Sequence, residues 1–448
     1  MADKFLVKNG WLGLKRNGSY YFYNSVDKQF EIFQAENLIE GNENQRLHPI
    51  NILPTPDFAY EASAAALTLT TKCNMDCSYC YVKPVPYSAE MNCEEVAEAV
   101  CALGEQTKRE MILFAWGGEP TQNPKGLLTM IRTAERYSHI KIALITNGVM
   151  ENNLLQELLT FKNVAFQLSF DGITNQNKQK QLLTKANSLT RMLNSLETIT
   201  QISHRVSLRS TVTRSNIHEV KASLLQVARQ FTNRIMIEHL HTYNGRAVNL
   251  KKEVPPINEY VDLIFDTVPI AEREGIHVKV LPFDHLRAGG PNNQMTFLNV
   301  LPGKDVVVTN AIIHSSHPFF SKFSIGRISD GRIVYDLEKN ILLSSRYLKN
   351  YYQQCQDCFA RPVCRGSVQR YLFISNDGLD EWDNMRCQYF MAVLERWMEM
   401  LVGEIVEYMK KLNALEGTIQ LVAPLGKVHY PMFVMKEGLS LSYSPFSK

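Results

Sequence analysis

No stretch of this sequence approaches the roughly 18 consecutive apolar residues of a membrane-spanning helix, and the opening Met-Ala-Asp-Lys-Phe-Leu lacks the long apolar core of a signal peptide. These absences point to a cytoplasmic protein without a membrane partner. A charge excess is also missing: 48 Lys and Arg stand against 45 Asp and Glu, a net charge of +3, with no run of one sign. Such a balance gives no basic field for nucleic acid. Disulfides are not expected, because the cytosol keeps thiols reduced. The nine cysteines of the 448-residue chain therefore call for another account.

Seven of them fall into two groups, Cys73, Cys77 and Cys80, then Cys355, Cys358, Cys364 and Cys387, and clustering of this kind indicates metal. Cys93 and Cys101 remain, eight residues apart on a helix expected to begin near Cys93, and read as small buried hydrophobes. Three thiolates in the eight residues Cys-Asn-Met-Asp-Cys-Ser-Tyr-Cys can hold one corner of a four-iron cluster and leave one iron open to an outside molecule.

Strand and helix alternation begins at Ala64 and indicates a parallel α/β sheet. Six strands are expected, at Ala66 to Thr71, Met111 to Trp116, Lys141 to Thr146, Val164 to Phe170, Val206 to Val212 and Arg234 to Leu240. A complete eightfold barrel takes about 250 residues. The roughly 180 available here accommodate about six units, so the fold is read as a partial (β/α)6 TIM barrel. Ligands of such sheets sit at the carboxyl ends of the strands. Cys73, Gly117-Gly118-Glu119-Pro120, Thr146-Asn147-Gly148 and Ser169-Phe170-Asp171-Gly172 all fall at that rim.

Around the barrel, residues 1–62 form a small N-terminal β domain and linker. Its meander turns at Asn17-Gly18, and it serves either to dock an extended peptide or to cap the barrel. Residues 63–245 are the barrel itself. Residues 246–345 bridge onward through a helix from Ile257, a strand near His277 and a hairpin at Phe323 to Tyr335. Residues 346–388 hold the second cysteine group, and residues 389–448 a helix with a stripe of Phe390, Leu394, Trp397, Leu401, Ile405, Tyr408 and Leu412, followed by short strands from Thr418.

Cys-x3-Cys-x-aromatic-Cys followed by Gly-Gly-Glu-Pro on the next strand resembles the radical S-adenosylmethionine (SAM) enzymes. The resemblance implies a 4Fe-4S cluster on Cys73, Cys77 and Cys80 whose open iron chelates SAM, and cleavage of SAM to a 5′-deoxyadenosyl radical that abstracts hydrogen. It further implies Tyr79 against the adenine, Gly117, Gly118, Glu119 and Pro120 about the methionine end, Ser169 at the ribose and Arg209 as a polar contact. The second group resembles the SPASM extension of peptide-modifying relatives and implies one auxiliary 4Fe-4S cluster on Cys355, Cys358, Cys364 and Cys387. A second auxiliary cluster lacks its ligands, since Asp336 and Val368 stand where cysteines belong. Structural zinc is the competing reading for this group.

The function so implied is maturation of a ribosomally made precursor peptide, with an intramolecular C-S, C-C or C-O cross-link as the product. An electron donor such as flavodoxin or ferredoxin is implied as a partner. Oxidation of a protein side chain or a small molecule, and a non-catalytic iron-sulfur scaffold or sensor, are the alternatives. Epimerisation would need a hydrogen donor such as Cys93 or Cys101. His314 and His317 are candidate acid-base groups.

Overall fold

The computed structural model describes residues 4–8, 11–16, 19–24, 29–34, 64–83, 85–107, 110–203, 205–242, 244–287, 297–343, 355, 358–364 and 384–413. The Asn17-Gly18 turn, the linker to residue 63, Val368 and the tail from Thr418 lie outside these residues. The first element is a four-stranded antiparallel meander of β1 (Lys4–Lys8), β2 (Trp11–Arg16), β3 (Ser19–Asn24) and β4 (Gln29–Gln34), in sequential order. β1 is a strand that the alternation did not reveal. Leu12, Leu14, Tyr21 and Tyr23 are buried in the main core, so the meander is fixed to the body of the protein.

The second sheet is organised around β5 (Ala64–Thr70). Its run of buried residues from Ala65 onward is what a parallel strand covered on both faces requires. From β5 the chain steps through β6 (Met111–Gly117), β7 (Ile140–Thr146), β8 (Val164–Ser169), β9 (Val206–Val212), β10 (Arg234–His239) and β11 (His277–Lys279), every neighbouring pair parallel. All six strands expected from the sequence are present, within two residues at each end. On the other side of β5, β12 (Phe297–Val300) also pairs in parallel, and β13 (Asp305–Val307), β14 (Ser324–Ser329) and β15 (Arg332–Tyr335) continue antiparallel. Strands from both sides of residue 245 thus enter one open sheet, the partial barrel. Buried Asn299 secures the junction: it accepts from Thr68 Oγ1 at 3.0 Å and donates to the carbonyls of Thr309 and Ile312.

The helices that follow the strands are α1 (Cys93–Gln106), α2 (Pro124–Ala134), α3 (Asn152–Leu159), the short α4 (Gln176–Gln179), α5 (Ser188–Ile202), α6 (Ile217–Phe231) and α7 (Ile257–Arg273). Each long one carries a buried stripe, such as Leu196 and Ile199 on α5 or Val220, Leu224 and Val227 on α6, that covers the sheet. Along β7 to β9 burial alternates. Leu144, Leu168 and Leu208 are fully covered, while Ile145, Ser169 and Arg209 are half-buried on the concave face. Two caps tie the rim together: Asn92 forms a capping box with Glu95 at the start of α1, and Asn123 caps α2 while donating to the carbonyls of Leu69 and Met91.

The remaining helices are α8 (Leu281–Arg287), α9 (Phe320–Phe323), α10 (Arg361–Cys364) and α11 (Asn384–Asn413). Phe390, Leu394, Trp397 and Leu401 of α11 are buried, as the stripe predicts. Trp397 meets Tyr23 edge-on, with ring centroids 5.0 Å apart, and so joins the first meander to the last helix. Cys93 corrects the sequence reading: it is the first residue of α1 and is exposed, while half-buried Cys101 faces Arg136, whose Nη1 lies 3.5 Å from its sulfur. No described helix is long and apolar enough to cross a membrane.

Candidate active site

A cleft opens at the carboxyl ends of β5 to β10. Cys73, Cys77, Cys80, Tyr79, Gly117, Gly118, Glu119, Ser169 and Arg209 all line it. Pro120 does not; it is buried and opens a single 3-10 turn, Pro120–Gln122.

The cysteine loop is held by backbone bonds from distant segments. Asp76 and Ser78 donate their N–H groups to the carbonyls of Gln181 and Gln179, and Leu183 donates back to Asn74. On the other side, the N–H of Arg246 reaches the carbonyls of Cys80 and Lys83, and its guanidinium reaches Cys77 O at 3.2 Å and Asp76 at 2.6 Å. Asn147 completes the enclosure by donating to Asn74 Oδ1 at 2.7 Å. The loop geometry is therefore set by the protein chain.

Gly117 and Gly118 are required by this packing. A Cβ on Gly117, where φ is +132°, would stand 2.2 Å from Thr70 O, and one on Gly118 would stand 2.2 Å from Lys72 O. Their N–H partners run the same way: Gly118 donates to Thr70 O at 2.9 Å and Glu119 to Lys72 O at 2.8 Å. The glycine pair is thus the seat on which the segment leading into Cys73 rests.

Glu119 is buried, and its carboxylate accepts from Thr121 N, Thr121 Oγ1, Thr146 Oγ1 and Asn147 N at 2.7 to 3.2 Å. Burial raises its pKa, and these bonds oppose the rise. Glu119 therefore braces β6 against β7 while it faces the cleft. Arg209 pairs with Glu238 on the neighbouring strand β10. Burial alone would raise the Glu238 carboxyl, but Arg209 and Arg386 outweigh it and hold the group below its ordinary range.

Residues along and behind the cleft wall add to those expected at the site. The Tyr79 hydroxyl donates to Asp171, which is fully buried, also accepts from Thr211 N at 3.0 Å, and lies 3.6 Å from Lys180 Nζ. Burial, then Asp171, pushes the Tyr79 phenol well above its ordinary range. Asp171 belonged to a motif at the rim and carried that signal; Lys180 lies in a polar run without periodicity and carried none. Trp116, His239 and His241 complete the wall. His239 stacks on Tyr389 of α11 at 4.0 Å between centroids, which brings the C-terminal helix to the edge of the cleft.

Burial pushes the Cys73 and Cys77 thiols up to about 12, with Glu119 adding to the effect at Cys73 and Lys180 opposing it at Cys77. In the metal-free protein they hold their protons, and metal binding would release them. Among the described residues no three Cys, His, Asp or Glu side chains converge as they would around one metal ion. A cluster asks for wider spacing, because each thiolate takes a different iron. Three soft thiols bordering a cleft with an open side fit a 4Fe-4S cluster that leaves one iron accessible.

The second cysteine group lies elsewhere, where α10 packs against α8 and α11 against α7 and α8. Cys355 and Cys364 are buried and Cys358 and Cys387 half-buried. Cys358 Sγ lies 3.9 Å from Met391 Sδ, one helical turn beyond Cys387, so Cys358 comes to the face of α11 that carries Cys387. His314 and His317 do not line the cleft. Their ring centroids are 5.8 Å apart, and His317 Nε2 lies 3.2 Å from Asn244 Oδ1.

Residues 67–226 match the family model described as the Radical SAM superfamily. The radical SAM cyclopropyl synthase TigE of Paramaledivibacter caminithermalis is 21% identical over 260 residues, 54% of this chain and 51% of its own. The sporulation killing factor maturation protein SkfB of Bacillus subtilis is 27% identical over 192 residues, 42% of this chain and 44% of its own. The chain thus spans about half the length of these two relatives. Among solved structures, anSMEcpe with bound AdoMet and the Kp18Cys peptide superposes with a TM-score of 0.60 at 15% identity, covering 76% of this chain and 98% of that one. At that identity the likeness is one of fold.

Proposed function

We propose that the protein is a radical SAM peptide maturase: it abstracts hydrogen from an unactivated carbon of a ribosomally made precursor peptide and forms an intramolecular cross-link. The observation that carries this reading is the gathering of Cys73, Cys77, Cys80, Gly117, Gly118, Glu119, Ser169 and Arg209, all within the region that matches the Radical SAM superfamily, on one cleft. The peptide substrate is supported by the relatives, a cyclopropyl synthase and a maturation protein by name, and by a structure of the same fold that holds a peptide.

When bound, a 4Fe-4S cluster on the three thiols would supply the electron that cleaves SAM, delivered from a flavodoxin or ferredoxin. The chain's own residues would hold and enclose the cofactor. Gly117 to Glu119 offer backbone and carboxylate to its methionine end, Ser169 a hydroxyl to the ribose, Arg209 a charge fixed by Glu238, and Tyr79 a ring fixed by Asp171. Cys355, Cys358, Cys364 and Cys387 would hold one auxiliary cluster, an exit for the electrons that a cross-link releases. We place the protein in the cytoplasm.

The test has two arms. Reduced, iron-loaded protein is incubated anaerobically with SAM, and 5′-deoxyadenosine is the expected product; its absence would sink the catalytic reading. The chain is then coexpressed with candidate precursor peptides, taken from any short reading frames found beside its gene. A mass loss of two hydrogens supports a cross-link, and an unchanged mass with altered stereochemistry would favour epimerisation instead.

A further inference from the structure

We propose that Lys180 is a positioning charge that sets how readily the cluster on Cys73, Cys77 and Cys80 accepts an electron. This rests on the radical SAM reading above and adds a residue that the motif does not contain. Lys180 is carried to the cleft by the segment that pairs with the cysteine loop, between the carbonyls of Gln179 and Gln181 that receive Ser78 N and Asp76 N. Its side chain is only 7% exposed, lines the cleft beside Cys77, and lies with Nζ 5.5 Å from the Tyr79 ring centroid.

A buried ammonium needs a counter-charge, and Asp171, 0% exposed, provides it at 3.6 Å. The pair is oriented. Lys180 lines the cleft together with Cys73, Cys77 and Cys80, whereas Asp171 is not among the lining residues. The cationic end of the pair thus faces the cysteine loop, and the anionic end is turned back against Thr211 N and the Tyr79 hydroxyl.

A 4Fe-4S cluster passing from its 2+ to its 1+ state gains one electron, here from a low-potential reductant such as dithionite, and no bond or proton changes at Lys180. Added negative charge beside a fixed cation in a poorly solvated site is stabilised by Coulomb attraction. Lys180 therefore raises the reduction potential, and Asp171 moderates it.

The experiment is a potentiometric titration of reconstituted full-length protein without SAM, monitored by electron paramagnetic resonance. The signal followed is the one whose shape SAM alters, which separates this cluster from the auxiliary one. K180M is expected to move the midpoint to more negative potential, K180R to keep it near that of the wild type, and D171N to move it to more positive potential, all at equal iron content. A K180M midpoint equal to the wild-type value overturns the inference, as does an unchanged midpoint with weakened SAM binding, which would make Lys180 a cofactor contact. If K180M does not load iron, the difference between wild type and D171N decides. Iron-loaded wild type without any SAM-sensitive signal would sink the radical SAM reading and this inference with it.

Discussion

Arg209 on β9 is held across the cleft wall by Glu238 on β10, one strand further along the barrel. Bonds of this charge-assisted type contribute about 1.5–3 kcal/mol. If Arg209 touches SAM as we propose, E238Q leaves the charge in place but frees its direction, and SAM affinity is expected to fall about tenfold. Equilibrium dialysis measures it. Unchanged affinity would mean that Arg209 does not rely on Glu238, or does not touch the cofactor.

Gly118→Ala places a methyl group 2.2 Å from Lys72 O, next to the first cysteine of the loop. Overpacking of this kind costs about 1–3 kcal/mol. Thermal melts should show that loss, and iron content should fall with it because Cys73 is displaced. Full iron loading in a destabilised G118A protein would show that the loop adjusts independently of β6.

Two clusters predict about eight irons per reconstituted chain. Replacing Cys73, Cys77 and Cys80 by Ala together should leave about four, and replacing Cys355, Cys358, Cys364 and Cys387 should leave about four as well. Iron and zinc are counted by plasma mass spectrometry. Stoichiometric zinc that disappears with the second set of replacements would remove the auxiliary cluster.

Burial and the neighbouring His314 lower the His317 pKa from 6.5 to about 4. The unfolded chain takes up this proton first as pH falls. The contribution to stability is therefore fully present above about 6.5 and is lost as pH drops toward 4. Allowing for the partial exposure of His317, urea melts at pH 7 and pH 5 should differ by about 1 kcal/mol more for wild type than for H317Q. Equal pH sensitivity in the two proteins would locate the effect elsewhere.

The parallel strands were legible because each is a short apolar run set between helices, and β5 to β10 follow one another in both sequence and space. β12 was not, because Phe297–Val300 is four residues long and pairs with Ala64 to Leu67 more than 200 residues earlier. The cysteine and glycine motifs were legible as positions but not as reasons. Gly117 and Gly118 are needed by the carbonyls of Thr70 and Lys72, and Glu119 by Thr146 and Asn147, contacts that no local pattern encodes. Lys180 was invisible for the same cause: its place follows from backbone pairing between Gln179, Gln181 and the cysteine loop.

The loop from Cys73 to Cys80 is fastened on one side by Gln179 and Gln181 and on the other by Arg246. In small zinc modules the ion must organise the chain around itself, and its binding energy goes largely into folding. Here the ordering cost falls on the polypeptide. A cluster delivered after synthesis meets a finished receptacle, so iron starvation should leave a folded, loadable protein rather than a denatured one.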